Sequence, residues 1–176
     1  LNGGPHFKFN PSISFIISCK TKDEVDELWK KLGHRGKVLM PLDKYPFSDR
    51  YTWFEDKYGL SWQIILPKGE GEKGPKIIPS LLFVGDKCGK AEEAMNFYLS
   101  IFKNSKKGSL IHYGEGQEPN KKGSVMFADF MIENYWLAAM DSALEHNFSL
   151  NEAISFIVNC KDQEEIDYYW NKLSHY

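Results

Sequence analysis

Hydrophobic and polar positions alternate from Ile13 to Cys19. Ile13, Phe15, Ile17 and Cys19 fall on one face, with Ser14, Ile16 and Ser18 on the other. That is the period of a strand with one greasy face and one mixed face. Thr21 and Glu24 are then spaced as a capping box. Val25, Leu28, Trp29 and Leu32 recur at helical spacing up to Gly33, a typical residue for a helix C-terminus. Three more strands are predicted: Val38 to Met40, Tyr51 to Glu55 and Leu60 to Leu66. The last two are joined by Asp56-Lys57-Tyr58-Gly59, a turn with glycine where a positive φ is needed. The unit is strand, helix, three strands. After a glycine- and charge-rich stretch the same order returns with little sequence identity. Ile77 to Val84 reads as a strand, and Ala91 to Phe102 as a helix buried along Ala94, Phe97, Tyr98 and Ile101. Ser109 to Tyr113, Ser124 to Ile132 and Trp136 to Met140 read as strands, the last two around a turn at Glu133-Asn134.

The chain also repeats itself. Asn10 to Leu32 (NPSISFIISCKTKDEVDELWKKL) and Asn151 to Leu173 (NEAISFIVNCKDQEEIDYYWNKL) align without a gap, about half of their positions being identical. In the second copy Asp162 takes the cap, and Ile166, Tyr169, Trp170 and Leu173 take the apolar stripe. A period this long belongs to whole modules in tandem, because solenoid repeats run about 20–50 residues. The reading is a second-type βαβββ module over residues 1–68, a linker over 69–76, a first-type module over 77–142, and the start of another second-type module over 143–176. The first copy continues into strands that the second never reaches, so a piece of a longer tandem is expected.

Composition narrows the function classes. The 176 residues carry a net charge of −2, which gives no basic footprint for nucleic acid. The one basic run, Lys103 to Lys107, reads as a solvated loop, and no apolar stretch approaches a membrane span. Aromatic residues make up 15%, enough for a real core and an aromatic-lined cavity. Cys19 and Cys160 share one repeat position and Cys88 is left over, so a reduced, cytoplasmic protein is the expectation. GEGEKG (Gly69 to Gly74) lacks the Lys-Ser/Thr ending of a phosphate loop. No glycine-rich loop of the kind a methyltransferase cofactor fold uses is found.

AEEAMNFYLSIF (Ala91 to Phe102), NEAISFIVNC (Asn151 to Cys160), QEEIDYYWNKL (Gln163 to Leu173) and DKYGLSWQII (Asp56 to Ile65) resemble the PhnB-like, demethylubiquinone methyltransferase-like branch of the vicinal oxygen chelate superfamily, the glyoxalase and bleomycin-resistance fold. The resemblance implies an α+β fold in which repeated βαβββ modules pair into curled mixed sheets around a cavity. It also implies a homodimer. In that family an AEEA-type module is followed by a NEAISF-type module within one domain, and Leu1 to Pro5 look like the link between two such modules. The module before the linker could also pair with the one after it, as in permuted members.

Metal-binding members of the superfamily place His or Gln on a module's first strand and Glu on its last. Those positions fall here on Ser14, Gln63, Ser80 and Ser155, and the last strand of the first-type module offers only Ala and Met. The usual metal set is absent, and no cofactor is expected. Alternation points independently to the same face: Ser14 with Ser18, and Ser61 with Gln63, oppose the apolar faces that should lie under a helix. Candidate ligand-binding residues are therefore Ser14, Ser61, Gln63, Ser80, Trp136 as a cavity wall, and Ser155, with no catalytic residue assigned. Trp62 reads as core. His6, His34, His112, His146 and His175 lack ligand spacing; His112 falls in a short strand candidate, and the resemblance implies that His146 lies in the inter-module link that borders the cavity. Asp141 is either a turn residue or a carboxylate facing the ligand. The leading reading is a small-molecule binding protein. A metal-dependent glyoxalase- or dioxygenase-type enzyme and a dimerising domain without a ligand are the alternatives.

Overall fold

Each long helix that the repeat predicts starts at its cap. α1 (Lys22–Leu32) is capped by Thr21, whose Oγ1 accepts from Glu24 N at 3.1 Å, and Glu24 Oε2 reaches back to accept from Lys20 N at 2.7 Å. α3 (Gln163–Leu173) repeats the device: Asp162 Oδ1 accepts from Glu165 N at 2.9 Å, and Glu165 Oε2 from Lys161 N at 2.8 Å. The computed structural model describes residues 6–68 and 74–174. Leu1 to Pro5, most of the expected glycine-rich linker (residues 69–73) and His175 lie outside the described residues.

The strands are β1 (Ile13–Ser18), β2 (Lys37–Tyr45), β3 (Ser48–Glu55), β4 (Ser61–Pro67), β5 (Ile77–Phe83), β6 (Ser105–His112), β7 (Val125–Ile132) and β8 (Tyr135–Asp141), with α2 (Ala91–Ile101) between β5 and β6. They form one curled, open sheet in the order β2-β3-β4-β1-β5-β8-β7-β6. Within each βαβββ unit the first and last strands run parallel (β1 with β4, β5 with β8), and the remaining pairs are antiparallel. The two units meet where β1 pairs antiparallel with β5, in the register Ser14↔Ser80. Bonds from Leu82 N to Ser12 O (2.8 Å) and Ser18 N to Lys76 O (2.9 Å) flank this ladder. They make Phe15–Pro79 a non-hydrogen-bonded pair, so the N–H that proline lacks is not needed there.

Register fixes the faces. Ile13 packs with Leu81, Phe83, Phe130, Leu137 and the α2 residues Ala91 and Met95. Ile17 packs with Phe54, Ile64 and the α1 residues Val25, Leu28 and Trp29. Ile13 and Ile17 share a strand face, so both helices cover the same side of the sheet. Ser14, Ser61, Gln63 and Ser80 point to the other side.

Two edge strands are longer than the pattern predicts. β2 runs through Pro41, tolerated because β2 is an edge. β6 takes in Lys106 and Lys107, read from the sequence as loop, and edge lysines are compatible with pairing on one side only. Gly33 ends α1 with an ordinary φ of −78°, not a left-handed one. Its need for glycine is steric: a Cβ there would lie 2.2 Å from the Trp29 ring.

The largest difference concerns the second copy. Residues 154–160 match β1 yet form no strand, and Phe156, Ile157, Ile166 and Trp170 are exposed. The edge they would need is taken, since β5 already lies between β1 and β8. Ser174 stands where the first copy has Gly33, so Trp170 cannot fold over the helix end as Trp29 does. Repeat-matched truncations should therefore differ. Trp29→Ala, which removes an edge-on contact with Phe54 at 4.9 Å, is expected to cost about 2–3 kcal/mol, and Trp170→Ala less than about 0.5 kcal/mol. Urea unfolding of both variants checks this.

Candidate functional site

The sheet face away from the helices carries a row of neutral polar side chains at its centre. Ser61 on β4 is the cross-strand partner of Ser14 on β1, and Ser14 is the partner of Ser80 on β5. Their exposures are 1%, 2% and 1%, and that of Gln63 is 7%. Hydrogen bonds tie the row to β3. Gln63 Nε2 donates to Ser14 Oγ at 2.7 Å, and Tyr51 Oη donates to Gln63 Oε1 at 2.7 Å. Trp53 Nε1 donates to Ser61 Oγ at 2.9 Å. Burial, with Tyr45 nearby, pushes the Tyr51 phenol well above its ordinary range, so it stays a neutral donor. Among the described residues, Ser80 Oγ is the one buried side-chain polar atom without a partner.

Four of the six residues singled out in the sequence thus come together. Trp136 shares the strand face of Ala138, the partner of Ser80, but lies toward the outer strands, with Lys106 Nζ 5.9 Å from its ring centre. Ser155 is apart, exposed in the unpaired segment after β8. Tyr51 and Trp53 were missed, although both alternate with the buried Thr52 and Phe54 along β3, a signal that sets them on the face of Gln63. Two surface depressions lie elsewhere. One is between Lys8, Asn10 and Ser149, the other between Phe9, Tyr58 and Ala153, and neither touches the row.

Asp141 has a different task from either sequence reading. It is 1% exposed, and its Oδ1 accepts from Gly89 N (2.7 Å) and Ala91 N (3.2 Å) while its Oδ2 accepts from Val125 N (2.8 Å). The carboxylate fills the N-terminus of α2, leaving no room for an external anion there, and it ties β8 to β7. Trp62 donates to Asp56 Oδ2 at 2.9 Å and packs on the α1 cluster, as core. His112 pairs with Glu92 at 2.8 Å, and Ser142 Oγ lies 2.8 Å from His146 Nε2. Burial lowers the basicity of His146.

The superfamily's metal chemistry can be tested on this donor set. Three hydroxyls and one amide bring no charge to the row, and a divalent ion held by such neutral groups needs carboxylate, imidazole or thiolate ligands beside them, which the row lacks. Asp141 is committed to three backbone donors. No group of three or more His, Cys, Asp or Glu suited to a metal occurs among the described residues. The row does not fit a divalent ion.

An open mixed sheet of two βαβββ units, with helices on one face and a polar lining on the other, is the vicinal oxygen chelate type of α+β fold. The family model described as 3-demethylubiquinone-9 3-methyltransferase matches residues 1–65 and 75–176, and the chain belongs to that family. Among solved structures it is similar to the PhnB protein of Bacillus cereus, at 40% identity over 55% of this chain and 70% of that one, with a TM-score of 0.49. A Staphylococcus aureus protein is 33% identical over 31% of this chain and 47% of its own, with a TM-score of 0.30. A mutant of glyoxalase I from Zea mays is 14% identical over 75% of this chain and 44% of its own, with a TM-score of 0.45. Comparison with curated proteins finds no match. No helix among the described residues is long and apolar enough to cross a membrane.

Two outcomes are expected. Asp141→Ala takes the acceptor from three backbone N–H groups, those of Ala91 and Val125 in buried hydrogen bonds and that of Gly89 in a part-buried one, and should cost about 3 kcal/mol, measured by chemical denaturation. Cys19 is buried under α1, and burial, reinforced by Glu24 and partly offset by Lys76, pushes its thiol from 9.0 to about 11. A folded pKa above the unfolded one leaves stability untouched below pH 9 and erodes it as pH climbs toward 11. At pH 8 Cys19 should react with a thiol reagent at least about a hundredfold more slowly in the folded chain than after denaturation.

Proposed function

We propose that the protein binds a small organic molecule, without a metal, against the Ser14–Ser61–Gln63–Ser80 face, using Trp136 as a wall. The observation that carries this is the partnerless Ser80 Oγ, buried beside Ser14 in a row otherwise joined by hydrogen bonds. A buried hydroxyl without a partner costs about 1–3 kcal/mol, a cost that a ligand oxygen or nitrogen would remove. The lining is uncharged, which favours a neutral molecule with a hydrogen-bond acceptor set in an apolar frame. Residues 1–68 and 77–142 act as the two halves of this site in the same reading. A cytoplasmic location is part of it, supported by three free thiols. A homodimer is also part of it, supported by the exposed apolar residues of the second copy. Methyl transfer is not part of this reading, since the sequence has no glycine-rich loop of the kind a methyl-donor cofactor fold uses.

The test is thermal unfolding against a panel of small neutral carbonyl compounds, aromatic and aliphatic. At least one should raise the melting temperature with dose. Ser80→Ala should stabilise the unliganded protein by about 1 kcal/mol and weaken that compound roughly tenfold or more. A compound that stabilises a Gln63→Leu, Ser80→Ala double variant as well as the native chain would place binding elsewhere and end the proposal.

A further inference from the structure

Three aromatic side chains that the core does not use surround one hollow. Phe7, Phe9 and Tyr58 are 52%, 44% and 74% exposed. All three line a depression of about 590 Å³, together with Lys8, Glu55 and Ala153. The walls are remote in sequence: Phe7 and Phe9 come from the segment that leads into β1, Tyr58 from the β3–β4 turn and Ala153 from the segment after β8. Lone exposed apolar residues are ordinary on a protein surface, whereas several around one hollow mark a place where something binds.

Tyr58 is held out by a fastened turn. Asp56 Oδ1 accepts from Tyr58 N at 2.8 Å and from Leu60 N at 3.1 Å, and Gly59 N donates to Asp56 O at 2.9 Å. Gly59 takes a φ of +86°, and a Cβ there would meet nothing within 4 Å, so the turn leaves space beside the ring. The ring already carries a cation: Lys57 Nζ lies 4.8 Å from its centre. That contact is the attraction of an ammonium to the negative face of an aromatic ring.

The hollow also holds a weakly paired carboxylate. Glu55 ends β3 and alternates with Phe54, which puts it on the face of Tyr51 and Trp53, opposite Ser61. Its side chain is only 17% exposed. Among the described residues its carboxylate is met by Lys37 Nζ alone, 3.5 Å away on a side chain 73% exposed. A shielded carboxylate is stabilised by charge-assisted hydrogen bonds of about 2.7–2.9 Å, and the Lys37 contact is too long to be one. Aromatic rings around a carboxylate are the chemistry that recognises organic ammonium ions. We propose that this hollow binds a small organic ammonium ion, its alkyl groups among Phe7, Phe9 and Tyr58 and its charge facing Glu55. Lys8 lines the hollow too, and its own ammonium opposes a cation there. The site uses none of the four side chains of the polar row and does not rest on the binding proposed for that row.

Titration of the full chain with choline tests this, at constant ionic strength and followed by backbone amide NMR. The control is choline's uncharged isostere, the alcohol in which a carbon atom replaces the quaternary nitrogen. Choline should shift the amides around Phe7, Phe9 and Gly59 to saturation and bind about fivefold tighter than the isostere, or better. Tyr58→Ala and Glu55→Gln should each weaken choline about threefold or more, and Lys8→Ala should tighten it about twofold. The Gln63→Leu, Ser80→Ala double variant should bind choline as the native chain does, so failure at the row and failure here can be told apart. The absence of a saturable shift at these amides would overturn the inference. Equal binding of choline and its isostere would reduce the hollow to a plain apolar surface and overturn it as well. A choline site indifferent to both Tyr58→Ala and Glu55→Gln, or one lost in the double variant, would do the same. If Glu55→Gln loosens the pairing of β2 with β3, Tyr58→Ala, which alters an exposed ring, still decides.

Discussion

Five aligned residue pairs between β1 and β5, Ile13↔Leu81 to Ile17↔Ile77, hold two four-stranded units in one sheet. Each unit alone would present a bare edge at its first strand, and an antiparallel pairing of the two first strands removes both edges. The remaining architecture follows from that register. With Ile13 opposite Leu81 and Ile17 close to Ile64, the apolar positions of both units fall on one side, and α1 and α2 cover them together. A slip of one residue would put the apolar faces of the two units, and with them α1 and α2, on opposite sides of the sheet, and would part Ser14 from Ser80.

The same register gathers the polar face. Ser61, Ser14 and Ser80 come from strands far apart in the chain and become neighbours only because β4, β1 and β5 are adjacent. Tyr51 and Trp53 then reach across from β3 and hold Gln63 and Ser61 in place. The network is neutral throughout, and it is satisfied everywhere except at Ser80. Charge is kept for a separate buried node, Asp141, which holds the N-terminus of α2 against β7 and β8. Polar burial thus serves two ends here: one fastens a helix, and the other lines a face.

Much of this was legible in the order of residues. Alternation gave β1 and the faces of β4, and the caps at Thr21 and Asp162 marked their helices. The dipeptide Glu133-Asn134 marked a turn in which both residues take positive φ, 44° and 67°. Other features escaped because they depend on partners remote in sequence. The basic run at Lys106 and Lys107 reads as loop until β7 supplies something to pair with. Gly33 reads as a left-handed cap until the Trp29 ring is seen lying over it. Asp141 reads as a turn residue or a ligand until β7 and the start of α2 bring it three donors.

Local periodicity and capping, which involve residues a few positions apart, determined the two βαβββ patterns, the duplicated segment and the polar faces of β1 and β4. Tertiary structure decided which modules share a sheet, and so which of two nearly identical strands is buried. That choice lies beyond any local pattern, because Ile13 to Ile17 and Ile154 to Val158 have almost the same side chains. What separates them is a neighbour: β1 has β4 beside it, and its duplicate does not. An edge of β5 accepts one strand at a time, and the strand with hydrogen-bonding partners on both sides holds it.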